Sequence, residues 1–266
     1  MEESIRRCYS ETIQLNSDDF LTMILVDAGF IIELFLREFD NSWESDDPML
    51  VEGWLRPSIF RDLLYLENQL PFFVIEILFQ VALPYKSYSY LIEITFHFFR
   101  ELNFQKKQPL SNVKIKHFID LLRTFLLPPF DRLPQPGNRN AKLFYSATKL
   151  REAGVKFKVS PSKCTLDIKF KNGVLEIPQL SLYETTEGLT RNIIAFELSH
   201  YGDKAYITQY YYLLHFLIDT TKDLDLLCDN KIVVNYQGDN NAVTSIINKL
   251  HTNIIWVGLN SDYCQL

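Results

Sequence analysis

The sequence predicts a mainly α-helical fold: multi-helix, bundle-like lobes with one small antiparallel β-hairpin at about 165–177. Three observations predict it. Apolar residues recur at a 3.6-residue period over most of the chain, the mark of helices that bury one face. Glycine is scarce, 9 in 266 residues, which disfavours a turn-rich all-β fold. One Asn-Gly pair, Asn172-Gly173, stands between two segments that alternate in polarity, the strongest short-range signal for a hairpin. With 47% hydrophobic residues the chain can build a real core. It is neither a disordered chain nor a small disulfide-held scaffold.

Residues 18–39 read as a largely buried amphipathic helix, with Asp18 and Asp19 suited to its N-terminus. Asp18, Thr22, Gly29, Glu33 and Arg37 share one polar stripe, which leaves Asp27 on the apolar side. Residues 41–54 form an acidic loop, and Pro57 can open the next helix. Over 58–69, Ser58, Arg61, Asp62, Tyr65 and Gln69 make the wet side, and Glu67 falls on or beside the inner face. Residues 71–82 are apolar nearly all round and read as a central helix. Helices follow over 87–104 and 111–127, the second capped by Ser111. Pro128, Pro129, Pro134 and Pro136 then fall within nine residues, followed by Gly137. This marks a break between an acidic lobe, 1–127, and a second lobe, 138–266. The second lobe opens with a basic helix, 139–153, stopped by Gly154, and continues into the hairpin. Helices at about 186–200, 204–221 and 239–250 complete it, with 230–239 as a short strand or connector.

Charge is unevenly spread. Residues 1–52 carry 13 acids against Arg6, Arg7 and Arg37. Residues 138–171 carry nine bases, Arg139, Lys142, Lys149, Arg151, Lys156 and Lys158 among them, against Glu152 and Asp167. At a net charge of −6 the chain lacks the footprint of a nucleic-acid binder. The basic segment fits contact with an acidic partner, with the chain's own acidic region or, as the sharper reading, with an anionic membrane surface. The bland reading is a solvated helix and a lysine-edged strand that discourages edge pairing.

Dinucleotide, P-loop, hydrolase-elbow, zincin and calcium motifs do not occur, so no small-molecule substrate or cofactor is predicted. The four cysteines, Cys8, Cys164, Cys228 and Cys264, are too scattered for a zinc ribbon, and no metal site is predicted. Four His–acid pairs stand at helical spacing: Glu93/His97, His117/Asp120, His200/Asp203 and His215/Asp219. Such pairs are more often surface ion pairs than metal or catalytic sites. Asp27 and Glu67, read as carboxylates on apolar faces, are expected to cap neighbouring elements; removing either would then cost about 1–3 kcal/mol. The competing reading makes them, or a His–acid pair, the acid/base centre of a hydrolase or transferase. Tyr206, Tyr210, Tyr211 and Tyr212 fit a core with wet hydroxyls better than a recognition surface. There is no signal peptide and no apolar run of spanning length.

Several ordered strings carry a resemblance. They are MILVDAGFIIELF (23–35), LLYLENQLPFFVIEILF (63–79), SATKLREAGVKFK (146–158), LDIKFKNGVLEIPQL (166–180), RNIIAFE (191–197) and DLDLLCDNKIVVNYQGD (223–239). Together they resemble the plant family called domain of unknown function 247, UPF0481-like, over about residues 18–250. The family has no assigned catalytic residues. The resemblance implies a non-enzymatic interaction or signalling module with an unknown protein partner, some members being linked to self-incompatibility recognition in grasses. Members are usually membrane-anchored through a C-terminal helix. This chain is expected to be shorter than they are at both ends, and so cytoplasmic or peripheral to a membrane.

Overall fold

The computed structural model describes residues 1–109, 114–129, 133 and 145–251. The chain divides into two compact units, Met1–Leu122 and Arg123–Leu266, with helix α7 (Phe118–Leu126) carrying the division. The expected cap Ser111 and most of the proline-rich 128–137 segment lie outside the described residues.

The first unit is helical. A short α1 (Glu2–Arg6) precedes α2 (Ser17–Asp40). Asn16 rather than Asp18 caps α2, its side chain accepting a hydrogen bond from the Asp19 amide at 2.9 Å. Asn41 ends the helix in the left-handed region at φ 50°. The acidic loop holds one helical turn, α3 (Pro48–Val51), with Pro48 at its first position and Asp47 as its cap. The helix expected over 58–69 is instead α4 (Leu55–Asp62) and a separate 3₁₀ turn, Leu66–Asn68. α5 (Phe72–Ala82) and α6 (Tyr88–Phe98) pack against α2. Their shared core is aromatic: Phe35 stacks on Phe98 with centroids 4.4 Å apart and meets Phe118 and Phe99 at 5.4 and 5.9 Å.

The break after Asp62 overturns the wet-side assignment of Gln69. Beyond the break, the face rules of a continuous helix no longer apply. Gln69 is buried, its amide nitrogen donating to the Leu63 and Tyr65 carbonyls at 2.8 and 2.9 Å. Its side-chain oxygen accepts from the Ile119 amide at 3.3 Å. It thus satisfies backbone groups that the helix break would otherwise strand.

The second unit contains more strand than the sequence suggested. Asn172 and Gly173, at φ 53° and 74°, do turn β2 (Lys169–Lys171) back onto β3 (Val174–Pro178) as an antiparallel pair. That hairpin is one side of a three-stranded sheet, order β1-β3-β2, in which β1 (Lys156–Ser160) runs parallel to β3. A second, two-stranded sheet pairs β4 (Leu180–Leu182) in parallel with β5 (Val233–Asn235). Parallel partners are joined through crossovers rather than tight turns, so no local signal announces them. Among the described residues the unit also holds α8 (Ala147–Glu152), α9 (Glu184–His200), α10 (Tyr206–Leu217), α11 (Thr221–Asp229) and α12 (Asn240–His251). All four tyrosines of α10 are buried, so they belong to the core and form no surface. Desolvation raises the Tyr206 and Tyr211 phenols. Among the described residues no helix is long and apolar enough to cross a membrane.

Candidate functional site: a lysine face on the three-stranded sheet

The sequence funnels basic side chains into one patch through strand alternation. Along β1, Lys156 and Lys158 point to one side and Phe157 and Val159 to the other. The register sets Lys156 and Lys171 on either side of Val174, and Lys158 and Lys169 on either side of Glu176. One face therefore carries four lysines in two rows, with neighbouring strands about 4.8 Å apart and rows about 7 Å apart. The opposite side supplies Leu175 and Ile177 to the core. All four lysines are exposed. Lys158 Nζ pairs with Glu176 Oε1 at 2.8 Å, and Lys169 Nζ with Asp167 at 3.2 Å. Four lysines against Glu176 and Asp167 leave the face net positive.

Lys149 and Arg151 are exposed on the last turn of α8, where cations suit the helix dipole. Gly154, at φ 91°, then turns the chain into β1. Arg139 and Lys142 lie outside the described residues. Lys169 and Lys171 complete the face, although a linear reading of the basic segment gave them no special place. Only the register brings them beside Lys156 and Lys158.

Asp27 and Glu67 are corrected by the structure: both are exposed, so the buried acid/base pair does not form. α2 is buried on one side only, through Phe20, Ile24, Ala28, Ile31, Ile32, Leu34 and Phe35, and Asp27 stands at the margin of that side, where its carboxylate reaches solvent. Glu67 sits in the separate 3₁₀ turn. Asp27 does act on Tyr9, whose phenol is pushed up to about 12 by burial, with Cys8 and Asp27 adding to it.

The histidines are held by ring packing and hydrogen bonds, and His117 meets the backbone of its sequence partner. His97 packs its ring on Phe39 at 5.1 Å, and His117 Nδ1 accepts from the Asp120 amide at 3.3 Å. His200 Nδ1 meets the Phe196 carbonyl at 3.3 Å, and His215 Nδ1 meets Asn248 Oδ1 at 2.9 Å. Among the described residues no three His, Cys, Asp or Glu side chains gather to hold a metal ion.

The buried charges lie elsewhere. Glu197 is fully buried and accepts from Arg123 Nε at 2.7 Å through Oε1. Through Oε2 it accepts from the Thr208 amide and hydroxyl, each at 2.8 Å, which caps the N-terminus of α10. Arg123 also donates to the Lys204 carbonyl at 2.8 Å and lies 3.7 Å from the Tyr201 ring centroid. Asp223 accepts from the amide and hydroxyl of Thr148 at 2.8 and 2.7 Å, and from those of Thr220 at 2.9 and 2.8 Å. Burial alone would raise its pKa. The four hydrogen bonds outweigh that and bring it down to about 2. Every oxygen of these carboxylates is occupied by scaffold.

The whole chain, residues 1–266, matches the profile of a family described as plant protein of unknown function, DUF247. It is 30% identical over 284 aligned positions to the UPF0481 protein At3g47200 of Arabidopsis thaliana, covering 96% of this chain and 59% of that relative. The chain thus spans about three fifths of the length of the curated relative it matches. No solved structure matches it. The ordered strings along the chain and the match over its full length lead to one conclusion: the chain belongs to the plant DUF247 family.

Proposed function

We propose that this chain is a non-enzymatic interaction module whose lysine face docks an acidic segment of a protein partner. The carrying observation is the two-row lysine face, Lys156, Lys158, Lys169 and Lys171, set by the strand register as separate point charges. Lysines of this kind steer and hold a diffuse anionic surface. Glu176 sits inside the patch, and that favours a protein over a lipid surface. A carboxylate there opposes adsorption to anionic headgroups, whereas a partner segment can answer it with one Lys or Arg among its acids, which sets a register. The buried carboxylates support the same reading, because Glu197 and Asp223 are engaged as helix caps.

The test is fluorescence anisotropy of a labelled Glu-rich peptide against the full chain, beside co-sedimentation with phosphatidylserine vesicles. The expected result is peptide binding that weakens as salt rises and falls at least tenfold in the Lys156→Glu/Lys171→Glu variant. Binding indifferent to that variant, or binding to vesicles alone, overturns the reading.

A further inference from the structure

The outward side of α2 carries exposed apolar side chains within the polar stripe of Asp18, Thr22, Glu33 and Arg37. Leu21, Leu25, Val26 and Phe30 are 41%, 56%, 61% and 48% exposed. Leu25, Val26 and Phe30 lie on the arc away from the buried stripe and flank Thr22 and Gly29, both also exposed, while Leu21 sits at the stripe's edge beside Leu25. A Cβ placed on Gly29 would meet nothing within 4 Å. Packing within the chain therefore does not require this glycine, which is, after proline, the poorest residue for a helix interior. Small residues at the centre of an apolar face let a second backbone come close. The surround is acidic. Asp18, Asp19, Asp27 and Glu33 are exposed, and the arginine at the far end, Arg37, is tied to Glu33 at 2.6 Å and to Asp47 at 3.1 Å.

We propose that this face of α2 is a second docking surface, fitted to an amphipathic helix of a partner protein that carries Lys or Arg beside its apolar stripe. Charge selects this occupant. A second copy of the chain would set acidic rim against acidic rim, and an anionic membrane would repel the same carboxylates. Lys or Arg flanking the incoming helix would instead answer Asp18, Asp19 and Asp27, while its apolar stripe covers Leu25, Val26 and Phe30. The proposal shares the view of the chain as an interaction module. It rests on a different unit and different residues from the lysine face.

The probes are two synthetic helical peptides with identical leucine spacing, one flanked by lysines and one by glutamates, titrated against the full chain by anisotropy. The lysine peptide is expected to bind at least tenfold more tightly than the glutamate peptide. Leu25→Ser/Val26→Ser is expected to weaken it at least tenfold, and Asp18→Asn/Asp27→Asn to weaken it several-fold and flatten its salt dependence. All four positions are exposed, so the variants leave the fold intact. Val81→Ser, at an exposed apolar site elsewhere, should leave binding unchanged. So should Lys156→Glu/Lys171→Glu, which separates failure of this proposal from failure of the lysine-face reading. Equal binding of the two peptides, or indifference to Leu25 and Val26, overturns the proposal. Self-association in sedimentation velocity that Leu25→Ser abolishes also overturns it, by assigning the face to a second copy.

Discussion

Glu197 shows how one side chain can matter more than a cluster. It neutralises Arg123, caps α10 and lies wholly out of solvent. Replacing it with Gln keeps the shape but leaves a buried guanidinium without its counter-charge, and breaking a buried pair in this way costs about 3–5 kcal/mol. Urea denaturation of Glu197→Gln should show a loss of that order with an unchanged m-value. Asp27→Asn, at an exposed carboxylate, should stay within about 0.5 kcal/mol of wild type in the same assay. Asp223 gives a pH signature. Its pKa is depressed in the fold, so its contribution is fully present above the ordinary aspartate value near 4. It is lost as pH falls through about 2. Acid titration of stability should lose about 2 kcal/mol across that window, and Asp223→Asn should remove this component of the slope.

At the scale of elements, the Asn172-Gly173 turn is the clearest case of sequence dictating backbone. Gly173→Ala forces a Cβ into a left-handed conformation and should cost about 1–2 kcal/mol by thermal melting. Local chemistry of this kind was legible: the Asn-Gly turn, the bounds of α2, α5 and α9, and Gly154 as a stop. What escaped the sequence was non-local. β1 carries an alternating pattern, but its partner is parallel and reached through 161–173, so no turn points to it. α11 follows α10 after only three residues, and the helix expected over 204–221 ended where α11 begins, leaving 222–229 without an element. The burial of Asp27 and Glu67 was misjudged for a related reason. An apolar-looking helix was taken as enclosed, whereas α2 exposes Leu25, Val26 and Phe30, and periodicity alone does not say whether a partner element exists.

Taken as a whole, the molecule separates its charges by unit. In the first, the ion pairs are local to it: Glu2–Arg6, Glu33–Arg37, and Glu38 with Arg56 and Arg100. In the second, four lysines gather on one sheet face. The basic segment was legible as composition, but its focusing into a face was not, because that depends on register. The mainly helical class and the family were legible throughout.

The β4–β5 pairing has a consequence for how this chain comes into being. Leu180 meets Val233 across three intervening helices, so this sheet closes only after a long segment has been ordered. During synthesis the ribosome must release the chain beyond Asn235 before that sheet can form, while the β2–β3 hairpin can zip some sixty residues earlier. Pulse-labelled hydrogen exchange during refolding should protect the amides of 169–178 first and those of 180–182 last. Simultaneous protection of both would mean that the two sheets assemble in a single step.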